Sequence, residues 1–396
     1  MPSDPAPGSC RGASIAGLLV VAGALASTVL LVAARDAVPA APMVSTAPDS
    51  VAAAPNGAAD ALRNDYAESV LRAVDAKLAR FPPAAAPAPE RVAALDALDG
   101  VLRDEDAPDR PAVRQFFHRR IEQAAREIRD AEVRSGATVW HIYNHGFVVR
   151  TASTTVCFDL VRARYLPGFA LEKRLMQEIA AACDVLFVSH VHADHAESFA
   201  ADALVRQRKP VVAPAQVGYR EPLYSRITHL EPDADVVRKL PIRDGRATLE
   251  VVVYPGHQEA DIDNNVVLVR TPDGITIAHT GDQWDKDADF AWIDRVGSRF
   301  PVDILLPSDW TYDIARMVRG FAPALVIPGH QNELGHEVAK RQPYLLSFER
   351  KAGSSRFGGS AGVGYDAPLV VLSWGESFHY EPAEKARTAT QRQDRP

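Results

Sequence analysis

The sequence has few of the features that would place it in several common classes of protein. Its 396 residues include only three cysteines, Cys10, Cys157 and Cys183, which are too few for a disulfide-rich scaffold. The net charge of -7 gives no sign of the basic surface that nucleic-acid-binding proteins usually carry. No internal repeat occurs at the periods of solenoids or propellers. What remains is an ordinary globular composition, long enough for roughly two domains of about 150 residues each.

Residues 1–42 are predicted to be either a signal peptide or a membrane anchor. Within them, the run 13–34 is uncharged and mostly apolar, and its length matches the roughly 20 residues that a membrane-spanning helix needs. The small residues Val38-Pro39-Ala40 instead resemble the site at which a signal peptide is cleaved. Both alternatives predict an exported protein on the periplasmic or extracellular side, either secreted or attached to the membrane through this helix.

Composition and hydrophobic spacing indicate the other boundaries. Residues 43–57 are rich in Ala, Pro, Ser and Thr and are predicted to be a flexible linker. Residues 58–135 carry three helical patterns and are predicted to form a helical N-terminal segment. The first apolar stripe comprises Leu62, Tyr66, Val70, Val74 and Leu78. We interpret this segment as a cap on the main domain, with a lid or a dimerisation element as alternatives. Residues 381–396 are predicted to be a disordered tail, and the oligomeric state stays open.

Residues 136–380 are predicted to form one α/β domain. From about residue 137 the hydrophobic period changes to two, which predicts three successive strands. A long helix is predicted over about residues 171–182, and strands then alternate with helices as far as residue 380. This order is consistent with two sheets that are covered by helices on their outer faces.

The most informative stretch of this domain is Ser189-His190-Val191-His192-Ala193-Asp194-His195. It directly follows the apolar run 184–188, which predicts a buried strand. Alternation along the chain puts His190 and His192 on one side, and the turn into the next helix brings Asp194 and His195 round. Imidazole and carboxylate ligands together suit zinc, iron or manganese. The stretch therefore predicts a metal site.

Three later turns carry further ligand types. They are Tyr254-Pro255-Gly256-His257, His279-Thr280-Gly281-Asp282 and Ile327-Pro328-Gly329-His330, and each is predicted to end a strand. Sheets in α/β proteins usually present their sites on such turns, at the carboxyl ends of strands. One turn alone would be weak evidence, but three in succession predict that His257, Asp282 and His330 belong to the same site.

Together these residues resemble the metallo-β-lactamase superfamily, whose His-x-His-x-Asp-His signature is matched by residues 190–195. The resemblance covers about residues 137–380. It implies an αββα four-layer sandwich and two divalent metal ions, with zinc as the first choice and manganese or iron as alternatives. One ion would bind His190, His192 and His257. The other would bind Asp194, His195 and His330, with Asp282 bridging both ions and Asp159 supporting the ligands from behind.

The resemblance also implies a hydrolase in which two ions share a hydroxide, with Asp194, Asp282 and His330 as candidate catalytic residues. Asp282 stands where the commonest zinc β-lactamases have Cys, and His192 where flavodiiron oxygen reductases have Glu. The chain looks most similar to the branch of ascorbate-phosphate lactonases and N-acylphosphatidylethanolamine phospholipases. The expected substrate is therefore a lactone, ester or phosphodiester of a small molecule or lipid, and no nucleic-acid partner is expected.

Two alternative functions stay open from the sequence. One is a non-catalytic protein that binds metal or a partner on the same fold, and the other is a nuclease-type phosphodiesterase. Suitable side chains at all seven predicted ligand positions favour an enzyme over a binding protein, because the loss of any one of them would have reversed that order.

Four further residues need an interpretation. His145 is interpreted as a turn residue, with a place in the cleft as the alternative, and His336 is a candidate proton donor. Cys157 and Cys183 are predicted to be buried free thiols. At about 3.3 Å per residue, the predicted strands would separate them beyond the roughly 7 Å between Cα atoms that a disulfide allows.

Overall fold

The computed structural model describes residues 56–284, 287–311, 313–354 and 363–383. The predicted signal peptide or anchor, nearly all of the predicted linker and most of the predicted tail lie outside these residues. Within the described ranges, no helix combines the length and the apolar character needed to cross a membrane. The described residues belong to one compact unit, which spans 54–396.

The described residues form α-helices and β-strands, which we number in chain order. The helices are α1 (Asn56–Arg80), α2 (Pro89–Leu102), α3 (Pro111–Asp130), α4 (Lys173–Ala182), α5 (Ser198–Arg206), α6 (Asp287–Ile293), α7 (Val296–Arg299), α8 (Ile314–Phe321) and α9 (Tyr344–Lys351). The strands are β1 (Ala137–His141), β2 (Phe147–Thr151), β3 (Thr155–Phe158), β4 (Val185–Phe187), β5 (Val211–Val212), β6 (Arg238–Ile242), β7 (Ala247–Glu259), β8 (Ile262–Arg270), β9 (Thr276–His279), β10 (Ile304–Leu306), β11 (Leu325–Val326) and β12 (Ser377–Tyr380).

Three helices precede the first strand. α2 and α3 begin at Pro89 and Pro111, where proline is favoured because the first N–H of a helix has no partner within the helix. The sequence predicts Leu62 and Tyr66 on the buried stripe of α1, but these side chains are 71% and 68% exposed. Residues 57–66 are exposed apart from the half-buried Asn64, so the start of α1 lies beyond the packed core.

The strands form two mixed sheets of six strands each. The first sheet has the order β12-β1-β2-β3-β4-β5, with antiparallel pairs from β12 to β3 and parallel pairs from β3 to β5. The second has the order β11-β10-β9-β8-β7-β6, with parallel pairs from β11 to β9 and antiparallel pairs from β9 to β6. Each sheet therefore has one parallel half, whose carboxyl ends can carry a site.

Two hydrophobic cores show how the layers are stacked. One core combines side chains of both sheets, such as Phe158 of the first sheet and Val251 of the second. Alternate residues of the same strands, such as Cys157 and Val252, belong to a second core together with helical residues. Because successive side chains of a strand point to opposite faces, the sheets pack against each other and the helices cover their outer faces. The α/β architecture with two mixed sheets is thus confirmed.

The predicted site residues follow parallel strands of both sheets. Asp159 directly follows β3, and the His190 stretch follows β4. In the second sheet, Asp282 follows β9 and His330 follows β11. The residues are therefore gathered at the carboxyl ends of the parallel strands, where the sequence predicts the site.

One predicted turn is wrong. The sequence predicts that a strand ends at the turn Tyr254–His257, whereas β7 continues to Glu259 and pairs with β8 along that length. The turn was predicted because Pro255 and Gly256 usually interrupt strands. β6 pairs with β7 only as far as Val251, so beyond that residue one side of β7 has no neighbouring strand. On that side, the missing N–H of Pro255 removes no hydrogen bond between strands. His257 therefore lies within a strand.

The prediction of two free thiols is also wrong. Cys157 and Cys183 form a disulfide, with their Cα atoms 5.9 Å apart. The prediction assumed that Cys183 begins a strand, but it is the residue at which α4 ends, and β4 begins only at Val185. The chain thus reaches Cys157 from the helical layer that covers β3, and no extended strand separates the two residues.

Candidate metal centre

Four of the predicted ligands converge at the carboxyl ends of the strands. His195 Nε2 lies 3.2 Å from Asp282 Oδ2 and 3.5 Å from Asp194 Oδ2. His330 Nε2 lies 3.1 Å and 3.5 Å from the same two oxygen atoms. His195, Asp282 and His330 are buried, and Asp194 is half-buried. We call these four residues the tight group.

The spacing of the tight group fits a metal ion. Although His330 Nε2 lies close to two carboxylate oxygens, it is buried without a hydrogen-bond partner among the described residues. Ligand atoms that lie about 2.0–2.1 Å from a tetrahedral ion are about 3.3 Å from one another. Each of the two imidazole nitrogens lies at about this distance from both carboxylate oxygens, and mixed nitrogen and oxygen donors suit zinc, manganese or iron. The residues present therefore fit a divalent ion.

The carboxylates and imidazoles of the tight group shift one another's pKa values. Burial alone would lower the pKa of His330, but the Asp282 and Asp194 carboxylates raise it to about 9. Burial would also lower the pKa of His195, but the same two carboxylates raise it well above its usual value. Burial would raise the pKa of Asp282 and Asp194, but the two imidazoles hold it well below the usual range. Both carboxylates are thus ionised at neutral pH, and an ion that binds here must displace protons from the imidazoles.

Asp159 lies behind the tight group. His195 Nδ1 donates a hydrogen bond of 2.8 Å to Asp159 Oδ2. The backbone N–H and the hydroxyl of Ser189 donate to the same carboxylate at 2.8 and 2.6 Å. With its proton on Nδ1, His195 directs the Nε2 lone pair towards the tight group. This is the contact that the predicted supporting role of Asp159 requires, and the role itself stays a prediction.

The other three predicted ligands, His190, His192 and His257, are less closely gathered, and we call them the open group. His190 Nε2 lies 3.1 Å from His192 Nδ1. However, His190, His192 and His257 are not among the groups of described residues whose ligand atoms, one from each residue, all lie within 4.8 Å of one another. His192 and His257 are half-buried. Burial and, to a smaller extent, the neighbouring His195 lower the pKa of His190 to about 3. The structure thus brings the open group together only in part.

His257 has a partner that the sequence analysis missed. Its Nδ1 lies 3.0 and 3.1 Å from the two carboxylate oxygens of Asp289, a residue of α6 that is only 2% exposed. This contact leaves His257 Nε2 as the ligand atom. An acidic residue in the first turn of a helix is usually explained by the helix dipole, so the sequence offered no signal that distinguished Asp289.

Two more polar residues hold the carboxylates of the tight group, and neither role was predicted. The hydroxyl of Ser308 donates to Asp282 Oδ1 at 2.9 Å. The side-chain amide of Asn144 donates to Asp194 Oδ2 at 3.1 Å. Asn144 adopts a left-handed backbone with φ of 54°, which asparagine tolerates better than most residues. Both residues come from loops that are far apart in the sequence, so their positions depend on the complete fold.

His145 lies in the predicted turn and also reaches the site. It is fully buried, and both ring nitrogens lack a hydrogen-bond partner among the described residues. Its Nδ1 is 4.0 Å from Asp282 Oδ1, and its ring stacks on His279 with centroids 4.1 Å apart. A Cβ at Gly329 would lie 2.4 Å from Cδ2 of His145, so only glycine leaves room for this imidazole. His145 therefore lies in a turn and also reaches the cleft, so the two interpretations are compatible.

The candidate proton donor His336 lies beside His330. Their rings are nearly parallel with centroids 5.5 Å apart, and the His336 ring also contacts Trp310 at 4.8 Å. The His336 side chain is 30% exposed. Burial lowers its pKa, and the neighbouring His330 lowers it further. His336 thus lies beside a predicted ligand, and its role as proton donor stays a prediction.

Comparisons with known proteins gave structural neighbours only: no family model and no curated protein matches the chain. Igni18, a metallo hydrolase from the archaeon Ignicoccus hospitalis, is 18% identical with a TM-score of 0.43, covering 63% of this chain and all of that one. CmlA, a diiron β-hydroxylase from Streptomyces venezuelae, is 13% identical with a TM-score of 0.39, covering 63% and 55%. A protein from Thermotoga maritima is described as a zinc-dependent hydrolase of the metallo-β-lactamase superfamily. It is 14% identical with a TM-score of 0.28, covering 49% and 76%.

These neighbours are metal-dependent enzymes, but each TM-score is below 0.5. The case for a function of this chain therefore rests on its own residues. The similarities also do not single out the branch of ascorbate-phosphate lactonases and N-acylphosphatidylethanolamine phospholipases, and they do not decide between zinc and iron.

Proposed function

We propose that this protein is a metal-dependent hydrolase of the metallo-β-lactamase type, with two ions at one centre. The observation that carries the proposal is the position of His195 Nε2 and His330 Nε2, each of which lies 3.1–3.5 Å from the Oδ2 atoms of both Asp194 and Asp282. Two buried imidazoles and two ionised carboxylates are the kind of donor set that a divalent transition-metal ion prefers.

The tight group would hold one ion, and the open group would hold the other. Zinc is our first choice, and manganese or iron would suit the same donors. When bound, the pair of ions would lower the pKa of a water molecule towards neutrality and polarise the oxygen of the scissile carbonyl or phosphoryl group. The protein itself would orient the imidazoles through Asp159 and Asp289, and it would hold the Asp282 carboxylate in place through Ser308.

The residues next to the ligands support a substrate with an apolar portion. Val191 lies between His190 and His192 and is 40% exposed. Trp284 is 46% exposed, and its backbone N–H donates to the carbonyl of His257 at 2.7 Å. Exposed large apolar side chains beside a polar centre favour an ester, lactone or phosphodiester that carries an acyl, lipid or similar group over a small, fully polar substrate.

We also propose that the protein acts outside the cytoplasm. The apolar run 13–34 supports export, and the Cys157–Cys183 disulfide supports an oxidising compartment. Fractionation of the producing cells, combined with thiol labelling before and after reduction, tests this. Recovery in the cytoplasm with both thiols free would contradict it.

The hydrolase proposal is tested with the purified full chain in zinc-loaded and chelator-treated forms. The probes are 4-nitrophenyl butyrate, an N-acyl homoserine lactone and bis(4-nitrophenyl) phosphate. We expect about two ions per chain and hydrolysis of at least one probe, lost on chelation and restored by zinc. The exposed Asp287 supplies the control variant Asp287→Ala, which should keep both properties.

Two outcomes would contradict the proposal. A chain that binds no divalent ion cannot be a metal-dependent hydrolase. A chain that binds two ions but hydrolyses none of the probes or their longer-chain analogues would favour a non-catalytic binding protein on the same fold.

A further inference from the structure

The helical N-terminal segment reaches the loop that carries His330. We define the His330 loop as residues 330–343, between β11 and α9. From α2, the carboxylate of Asp99 accepts a hydrogen bond of 2.8 Å from the side-chain amide of Asn332, two residues after His330. It also accepts bonds of 2.8 and 3.1 Å from the backbone N–H groups of Tyr344 and Leu345. Asp99 is 4% exposed, so these contacts are made away from water.

A second side chain joins the same loop to the end of α2. Arg341 Nη1 donates to the carbonyls of Leu102 and Asp104, both at 2.9 Å. Its Nε and Nη2 donate back to the carbonyls of His336 and Leu334 at 2.9 and 3.1 Å. A guanidinium is favourable at the carboxyl end of a helix, where unpaired carbonyls carry partial negative charge. Together, Asp99 and Arg341 connect α2 to both ends of the His330 loop.

The backbone of the His330 loop requires such support. His330 and Asn332 have φ of 71° and 50°, in the left-handed region that residues other than glycine rarely adopt. Strain of this kind persists only where the surrounding structure fixes the backbone. Within the described residues, the His330 N–H donates to the carbonyl of Asn144 and the Asn332 N–H donates to that of Gln342, both at 2.8 Å. Among those residues, Asp99 is the one hydrogen-bond partner of the Asn332 side chain.

We propose that Asp99 is a positioning residue for the metal centre: through Asn332 it holds the His330 loop so that the His330 imidazole is directed at the tight group. The helical segment then helps to position a metal ligand, in addition to covering the first sheet. The inference rests on the proposed function, since it needs an ion that His330 helps to bind. It goes beyond that function in assigning a role to a segment outside the predicted catalytic domain.

The contact predicts which ion depends on Asp99. His330 belongs to the tight group, whereas His190, His192 and His257 are carried by β7 and by the loop after β4. A change at Asp99 should therefore weaken the ion of the tight group and leave the other unchanged. Loss of a residue that orients a ligand typically costs about 10–100-fold in metal affinity.

The test measures zinc affinity of the full chain by competition with a chromophoric chelator. The variant Asp99→Ala removes the carboxylate and with it the acceptor of the Asn332 amide. A second variant, Asn332→Gly, cuts only the connection to the His330 loop, and glycine accepts the left-handed backbone at that position. The matched control is Asp96→Ala, because Asp96 is exposed and lies on the same helix. We expect both test variants to lose about 10–100-fold of the tighter affinity and the control to lose none.

Two further readouts separate positioning from general stability. The absorption spectrum of the cobalt-substituted chain should change for the tighter ion in both test variants, because the direction of an imidazole ligand changes. If Asp99→Ala and Asn332→Gly lower the melting temperature of the metal-free chain yet bind zinc and cobalt as the wild type does, the inference is overturned. If the wild type binds no zinc, the proposed function fails first, and the inference fails with it.

Discussion

The two halves of the metal centre differ in burial, charge and order. The tight group contains two carboxylates, and three of its four residues are buried. The open group contains imidazoles alone, and two of its three residues are half-buried. In the tight group each imidazole nitrogen already lies 3.1–3.5 Å from both carboxylate oxygens, whereas the three imidazoles of the open group are not gathered in this way. In the proposed centre, one ion would therefore enter a preorganised site, and the other would order its ligands as it binds.

Charge strengthens this difference. Asp282 Oδ2 faces the tight group, while Asp282 Oδ1 accepts the hydrogen bond of Ser308 and lies 4.0 Å from His145. A dication in the tight group would therefore meet two carboxylates, whereas one among His190, His192 and His257 would meet imidazoles, which supply no negative charge, and only the shared Asp282. Since coulombic attraction is strong in a buried site, we expect the tight group to bind its ion more strongly.

The largest effect is expected from Asp282→Ala, because Asp282 is a ligand of the tight group and the predicted bridge to the other ion. The variant should lose the tighter ion altogether, weaken the other and abolish hydrolysis. The loss should exceed the roughly 100-fold that removal of an orienting residue costs. Metal analysis after gel filtration measures it, with Asp287→Ala as control. Two ions retained by Asp282→Ala would show that the two groups are not joined through this carboxylate.

The next effect should separate the two ions. His330→Gly should remove the tighter binding step and leave the weaker one, and glycine accommodates the positive φ of this position. His257→Ala should do the reverse. Calorimetric titration of each variant with zinc reports both steps. If the two variants had the same effect, the centre would behave as one unit and the comparison between its halves would break down.

Smaller effects are expected from the carboxylates behind the ligands. Asp159 is hydrogen-bonded to His195 of the tight group, and Asp289 is hydrogen-bonded to His257 of the open group. Asp159→Asn should therefore weaken only the tighter ion, and Asp289→Asn only the weaker one, each by about 10–100-fold. The same titration measures both. An equal effect of either variant on both ions would mean that these residues act on overall stability.

The smallest predicted effect concerns pH. Because the Asp282 and Asp194 carboxylates raise the pKa of His330 to about 9, an ion entering the tight group displaces a proton below that pH. Its affinity should fall as the pH is lowered, by up to about tenfold per unit for each proton displaced. Burial lowers the pKa of His190 to about 3, so this ligand is unprotonated at neutral pH and adds no such dependence to the open group. If this assignment were wrong, titrations between about pH 6 and 8 would show that the affinities for the two ions change equally with pH.

The sequence predicted the parts of the fold and site that depend on local pattern. The apolar run before His190 predicted β4, and Asp282 and His330 follow β9 and β11 as expected. Convergence of these residues could be predicted because parallel strands bring their carboxyl ends to one edge of a sheet. The supporting place of Asp159 was implied instead by the resemblance to the metallo-β-lactamase superfamily.

Other features could not be predicted because they depend on contacts between distant segments. Asp289 meets His257 only when α6 packs beside β7, and Asp99 meets Asn332 only when α2 lies against the His330 loop. Local rules also gave two errors. Pro255 suggested a turn although it lies on the unpaired edge of β7, and Cys183 was counted in a strand although it ends α4.

The most direct test of the account is a calorimetric titration of the metal-free full chain with zinc at neutral pH. The account predicts two ions per chain that bind in separate steps of unequal affinity. A single ion, or two ions that bind with equal affinity, would contradict the division of the centre into a tight group and an open group.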